Sequence, residues 1–335
     1  MDTPPLVSVI IPTYNYGHFI CQAIDSVLAS NFPLKEVEII VIDDGSTDDT
    51  AEKVKVYDDK VKYIVQDNLG KACATKVGIA RAKGKYIFNL DADDLFLPNK
   101  LKEVVEIFEN DSDIVHVAHP ALCWHFDDDI KTAEPVPQSI LGRKILGKEL
   151  LYYFYKRGIL FGGGSTFAVR AAILKQASIP KTIDMLIDEY LALIALNQGY
   201  SFFIEQPLSI WRIHGKNYST GSITNTQRAQ LKRKLESLKA GVDNLPSIKL
   251  EKNMEGLYKL RNRILALYLK EKIADKSFAD ILSLWSCIFN VFASFGIDSF
   301  GIVKNYPILT RTLPTFLLNQ LKYAKKSGIQ VGDHK

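Results

Sequence analysis

The chain has 335 residues, 47% of them hydrophobic and 24% charged, with four cysteines and a formal net charge of +4. These values exclude a disordered polymer and a small disulfide-stapled scaffold, and they leave room for two structural units. Cys21, Cys73, Cys123 and Cys287 lie far apart, as free thiols in a reducing compartment do.

The opening Met1-Asp2-Thr3-Pro4-Pro5 has no basic segment, so no signal peptide is expected and the cytoplasm is the expected location. Leu6 to Ile11 reads as an apolar strand that Pro12 should stop, because proline gives a ladder no donor. From Phe19 to Leu28, apolar residues recur at helical spacing (Ile20, Ala23, Ile24, Val27), and Asn31-Phe32-Pro33 ends that helix. Val37 to Ile42 is a second strand, ending on Asp43-Asp44-Gly45-Ser46. Ser46 and Asp49 have the spacing of a capping box for a helix from Asp48 to Tyr57. Val61 to Val65 is a third strand. Gly70 then opens a helix from Lys71 to Ala82, and Gly84 closes it. Tyr86 to Leu90 is a fourth strand, apolar until it stops on Asp91-Ala92-Asp93-Asp94.

Strand and helix alternating with short connectors predict an α/β fold with a doubly wound, mostly parallel sheet. Ligands of such sheets bind beyond the carboxyl ends of the strands. Three strand ends carry polar clusters: Thr13-Tyr14-Asn15, Asp43-Asp44 and Asp91 with Asp93. Together they favour one site. No G-x-G-x-x-G or P-loop follows the first strand, which disfavours dinucleotide or ATP sites of those types. In extended chain, Asp91 and Asp93 point to the same side, with Asp94 behind them. Packed carboxylates repel, and a hard divalent cation, Mn²⁺ or Mg²⁺, would compensate them. The alternative is a solvated acidic turn, with Asp94 capping the helix that starts near Pro98.

That helix runs to Phe108, and Ile114 to Ala118 is a further strand. His116, His119, Cys123 and His125 match no zinc spacing. Residues 127–139 are polar with two prolines and read as an exposed loop. Gly162-Gly163-Gly164-Ser165 follows an aromatic-rich helix, Leu150 to Tyr155. Those glycines either let backbone approach a ligand or form a flexible connector. Asp188-Glu189 opens an apolar helix, Tyr190 to Leu196, where acidic residues are favourable without any function. Ser201 to Ile204 is a short strand, followed by a turn at Pro207 and then Trp211-Arg212-Ile213-His214.

After Gly221 the texture changes. Residues 221–335 carry a net charge of +10, against −6 for the rest. Arg228 to Lys239 and Lys252 to Lys272 read as long basic helices. Ile281 to Ile297 is uncharged, but its polar interruptions suit a buried or interfacial helix better than a membrane span. This region is expected to dock peripherally on an anionic membrane surface. The alternative is that it packs on the first domain or on a second copy in a homo-oligomer. No nucleic acid is expected as a partner.

Three pieces in series resemble the family 2 glycosyltransferases. They are Ser8-Val9-Ile10-Ile11-Pro12-Thr13-Tyr14-Asn15, Glu38-Ile39-Ile40-Val41-Ile42-Asp43-Asp44-Gly45-Ser46 and Asp91-Ala92-Asp93-Asp94, with the Gly70 to Gly84 helix before the third. The resemblance covers residues 6–220 and implies a GT-A fold over 1–220, with a basic helical region at 221–335. It also implies a nucleotide-sugar donor, most often a UDP-sugar, a saccharide or lipid-linked acceptor, and inversion at the anomeric carbon. By position, Pro12, Tyr14 and Asp44 would contact the nucleoside, with Glu38 and Asp43 nearby. Asp91 would sit at ribose and metal, and Asp93 would be the direct metal ligand, with His214 near the site as a further ligand. Asp188 falls where the family places its base, at a fixed distance before a glycine that is here Gly199. The family usually has Glu-Asp there and this chain has Ile187-Asp188-Glu189, so Glu189 is the neighbouring alternative. Where the family often has Arg-Asn, this chain has Thr75-Lys76, and Lys76 would supply the positive charge near the diphosphate. The rival expectation is a binding protein or assembly subunit that keeps the fold without turnover. Intact Asp91, Asp93 and Asp188 speak against it.

Overall fold

The computed structural model describes residues 4–125, 128–157, 163–214, 225–273, 275 and 277–295. The chain divides into two compact units, Met1–Leu150 with Leu160–Ile248, and Leu151–Ile159 with Lys249–Lys335.

The first unit begins with β1 (Val7–Thr13), α1 (Gly17–Leu28), β2 (Val37–Asp43), α2 (Thr50–Lys55), β3 (Val61–Val65), α3 (Lys71–Arg81) and β4 (Tyr86–Asn89). It continues with β5 (Leu95–Phe96), α4 (Lys100–Asn110), β6 (Ile114–Ala118), β7 (Ala121–His125), β8 (Ile130–Ala133), β9 (Arg143–Leu146) and α5 (Gly147–Arg157), whose later residues group with the second unit. Then follow β10 (Phe167–Arg170), α6 (Ala171–Lys175), α7 (Ile187–Leu196), β11 (Tyr200–Phe203), β12 (Ser209–Ile213), α8 (Asn225–Asp243) and α9 (Leu245–Ile248). The second unit holds α10 (Lys252–Lys272) and α11 (Phe278–Phe295).

Eight strands form one sheet in the order β3-β2-β1-β4-β10-β6-β11-β9. β3, β2, β1 and β4 are parallel, β10 is antiparallel to both its neighbours, and β11 is parallel to β6. β5, β12, β7 and β8 make a second, smaller sheet. β1 and β2 are rich in valine and isoleucine without alternation, as strands covered on both faces require. Val9, Ile11, Ile20, Ile24, Phe88 and Phe108 belong to one buried cluster. Chain order places β2 and β3 on one side of β1 and β4 on the other. The direction of winding therefore reverses between β1 and β4, which opens a crevice at their carboxyl ends.

Several local expectations change. β1 does not stop before Pro12 but runs to Thr13. Leu90 N donates to Ile10 O, so even-numbered residues of β1 turn their backbone toward β4. The β1–β4 register ends at Ile10 opposite Asn89, so the donor Pro12 lacks has no ladder partner to lose. Ser46 is no helix cap: its hydroxyl accepts the Asn15 N–H at 2.9 Å, while Asp48 accepts the Thr50 N–H at 3.1 Å and α2 starts there. Part of the expected loop at 127–139 is β8, paired with β7, and Trp211 to Ile213 lies in β12. Gly162, Gly221 and residues 296–335 lie outside the described residues. Among the described residues, no helix is long and apolar enough to cross a membrane.

Gly84 does not cap α3; Ala82 does, in extended conformation. Gly84 is instead needed for close approach, because a Cβ there would stand 2.6 Å from the Ser8 backbone nitrogen. Gly84→Ala is expected to destabilise the first unit by about 1–3 kcal/mol through this overpacking. Urea unfolding measures it, and an unchanged midpoint would show that β1 yields freely.

Candidate active site

The crevice between β1 and β4 is lined by the carboxylates that follow β4. Asp91, Asp93 and Asp94 each offer an oxygen, and these atoms lie within 4.8 Å of one another. Asp94 is not a helix cap, since Asn99 precedes α4. Its carboxylate is buried, accepting the Ser165 hydroxyl at 2.6 Å and the Arg212 N–H at 3.2 Å. Ser165 Oγ also accepts the Asp91 N–H at 3.0 Å. Buried Lys100 donates to the Ser165 carbonyl and, at 2.9 Å, to Ser209 Oγ. Arg212 donates to the Asp93 carbonyl and to Gln22. One network thus fixes the acidic turn from α4, the Ser165 turn and β12.

Asp93 points its carboxylate at two rings. His214 Nε2 is 3.3 Å from Asp93 Oδ2, and the Tyr16 hydroxyl hydrogen-bonds to Asp93. Burial, with the charges of Asp93 and Asp91 added, raises the Tyr16 pKa, so the phenol stays protonated and donates. Burial pushes Asp91 up to about 6; Lys71 opposes the rise, and Asp188 and Asp93 add to it. Asp94 is raised well above the carboxylate range, first by burial and then by Asp93 and Asp91. Three clustered carboxylates with one imidazole form a hard, oxygen-rich donor set that fits Mg²⁺ or Mn²⁺.

The opposite wall is built by α3 and α7. Gly70 adopts φ 92° and donates its N–H to Asp44 Oδ2 at 2.7 Å, which turns the chain into α3. Lys71 then reaches Asp91 Oδ1 at 2.7 Å and Asp188 Oδ2 at 2.8 Å. Burial alone would lower the Lys71 pKa, but Asp188 and Asp91 outweigh it and raise it, so the ammonium is charged. Asp188 lies in the first turn of α7, packed against Gly164, where an added Cβ would stand 2.6 Å from its Oδ1.

The other expected donor contacts are placed unevenly. Pro12 is buried near the end of β1, and Tyr14, two residues on, is 43% exposed. Asp43 accepts from the Tyr63 hydroxyl and, at 2.7 Å, from the Ser46 N–H. Asp44 accepts from Gln66 Nε2, Leu69 N and Gly70 N at 2.6, 2.9 and 2.7 Å. Both therefore shape the loops that border the crevice. Glu38 is not brought to this site. It pairs with Ser8 near the start of β2, accepts Ser8 Oγ at 2.5 Å and Gly84 N at 3.2 Å, and stands at the opposite end of the sheet. Lys76, expected near the diphosphate, does not join Lys71 at the carboxylates. It donates to the Ile179 carbonyl at 3.2 Å, five residues along α3 from Lys71 and so about 140° around the helix.

The model of glycosyl transferase family 2 matches residues 8–177. The chain belongs to this family. An uncharacterized glycosyltransferase of Nostoc sp. (strain PCC 7120) is 31% identical over 240 residues, 69% of this chain and 72% of that protein. Among solved structures, S. aureus TarS (residues 1–349) is 17% identical with a TM-score of 0.59, covering 96% of this chain and 87% of that one. The mannosyltransferase PcManGT of Pyrobaculum calidifontis is 17% identical with a TM-score of 0.50, covering 90% and 87%. These likenesses establish the expected GT-A architecture, a mostly parallel sheet followed by C-terminal helices.

Sequence reading missed five residues that contact or brace the acidic turn of this family 2 glycosyltransferase's candidate site: Tyr16, Lys71, Lys100, Ser165 and Arg212. Lys71 alone carried a usable signal. A cation in the first turn of a helix opposes the helix dipole, so it needs carboxylate partners elsewhere. Lys100, Ser165 and Arg212 are brought together only by the tertiary fold.

Proposed function

We propose that this family 2 glycosyltransferase moves a sugar from a nucleotide diphosphate sugar, a UDP-sugar in the first instance, to an acceptor hydroxyl with inversion. The observation that carries this is the Asp91–Asp93 turn at the β1/β4 crevice, facing Asp188 across Lys71. Asp188 takes the acceptor proton as the acceptor oxygen bonds to the anomeric carbon. The bond from that carbon to the diphosphate oxygen breaks, and its electron pair leaves with the nucleotide. One carboxylate opposite the leaving group suffices for a single inverting displacement. A divalent cation held by Asp93, Asp91 and His214 would supply electrostatic stabilisation of the departing diphosphate. TarS has been solved with UDP-GlcNAc, and PcManGT with GDP-Man and Mn²⁺, which supports this donor class and this cofactor.

A panel of nucleotide sugars with Mn²⁺ tests the reading by thermal shift. A donor at 100 times its Kd stabilises the native state by about 2.7 kcal/mol, so the true donor should raise Tm and then release nucleotide diphosphate. Binding without release would favour a nucleotide-sugar-binding protein or assembly subunit instead.

The acceptor fits a lipid-linked or saccharide intermediate of bacterial polysaccharide or glycolipid assembly at the cytoplasmic face of the membrane. The support is the +10 balance of residues 221–335 and the exposed Phe278, Leu282 and Phe289, which share one face of α11. Full-length protein should co-sediment with anionic liposomes, less so at high salt, and not with neutral ones. Equal recovery in the supernatant with both lipids would leave the region to packing or assembly.

A further inference from the structure

Lys71 is placed where a plain surface lysine has no reason to be. It opens α3, where a positive charge opposes the helix dipole, and its ammonium is shared between Asp91 and Asp188. Those carboxylates come from two distant parts of the chain, the turn after β4 and the first turn of α7. The two oxygens of Asp188 are used unequally. Oδ2 accepts from Lys71 at 2.8 Å. Oδ1 is buried, has no hydrogen-bond partner among the described residues, and lies beside Gly164, which has no side chain to cover it. At the neighbouring Gly163, an added Cβ would meet nothing within 4 Å.

We infer that Lys71 is a positioning residue, which ties Asp188 Oδ2 to Asp91 and thereby presents Oδ1 to the acceptor hydroxyl. The inference rests on the function proposed above, because it assigns Asp188 the role of base. An unpaired carboxylate in a half-buried site would rotate and seek other donors. The ammonium removes that freedom by holding one oxygen at a fixed distance from the turn that carries Asp91. It also keeps two carboxylates from repelling each other across the crevice. The other oxygen keeps its lone pairs for the incoming proton. The clamp thus couples the place of the base to the place of the donor-binding turn.

The test is a double-mutant cycle on the full chain with Lys71→Met and Asp188→Asn, with Lys71→Arg as the conservative control. Two readouts are taken. Urea unfolding of the four proteins reads the clamp without any substrate, and the two substitutions should be non-additive, as for groups in contact. Kinetics with the donor found by thermal shift read the consequence. Lys71→Met should lower kcat by on the order of 10- to 100-fold, as a misplaced base does, while calorimetric donor Kd stays within about threefold. Lys71→Arg should recover part of the loss, and the double variant should be no slower than Asp188→Asn alone. Multiplicative losses in the double variant, or a Kd that rises in step with the fall in kcat/KM, would overturn the clamp and make Lys71 an independent donor contact. If Lys71→Met does not fold, the Lys71→Arg and Asp188→Asn pair completes the cycle. Coupling in urea without turnover of any nucleotide sugar would overturn the proposed function, not the clamp. Turnover with additive unfolding energies would overturn the clamp, not the function.

Discussion

Asp93→Ala is expected to abolish sugar transfer while leaving the protein folded. Its carboxylate meets Tyr16, a half-buried ring, and His214, a buried one, and is itself part of no apolar packing. The backbone carbonyl that receives Arg212 survives the substitution. Stability should fall by about 1–3 kcal/mol, the cost of leaving the Tyr16 hydroxyl without its acceptor, which a domain of this size tolerates. Activity should fall far more, by on the order of 10³-fold, because electrostatic stabilisation of a leaving diphosphate is worth several kcal/mol. Calorimetry with Mn²⁺ alone separates the causes: the variant should lose most of the heat seen with the native protein. Excess EDTA should silence the native protein to a similar level. Full activity in EDTA would remove the metal from the mechanism.

The contrast between Asp93 and its neighbours explains what the sequence made legible. β1, β2 and β4 were readable because strands covered on both faces must be continuous apolar runs, and their polar ends were readable because a buried strand cannot end otherwise. The mostly parallel sheet followed from the short connectors, and with it the crevice at the carboxyl ends. Strand polarity also holds the reason Glu38 is remote: it stands second in β2, while Asp43 stands last. Helical period likewise separates Lys76 from Lys71. What could not be read was the approach of distant segments. Lys71 and Asp188 are 117 residues apart in the chain, and Arg212 and Asp93 are 119 apart. Ser165 belongs to a glycine-rich stretch whose two readings, ligand contact or connector, have equal local signals. Only burial shows that Ser165 braces Asp91 and Asp94. Asp94 is the clearest case, because an acidic residue before a helix reads as a cap until its carboxylate is found buried beneath β12.

Asp188→Asn tests the proposed base apart from the groups around it. Asparagine keeps the volume beside Gly164 but gives up the ion pair to Lys71, so the protein should stay folded while its stability falls by the coupling that the urea cycle reads. What it loses is the ability to take a proton. Donor affinity by calorimetry should therefore change only a few-fold, while turnover falls by on the order of 10²-fold or more, the usual cost of removing a general base. Residual turnover should still depend on Mn²⁺, because the Asp93 side of the crevice is intact. The adjacent Glu189 supplies the control. Lys71 ties Asp188 to Asp91, which favours Asp188 as the side chain that faces the reacting atoms. Glu189→Gln should then keep kcat near the native value. If Glu189→Gln is crippled and Asp188→Asn is not, the base stands one residue further along α7, and Asp188 serves only as the anchor of Lys71.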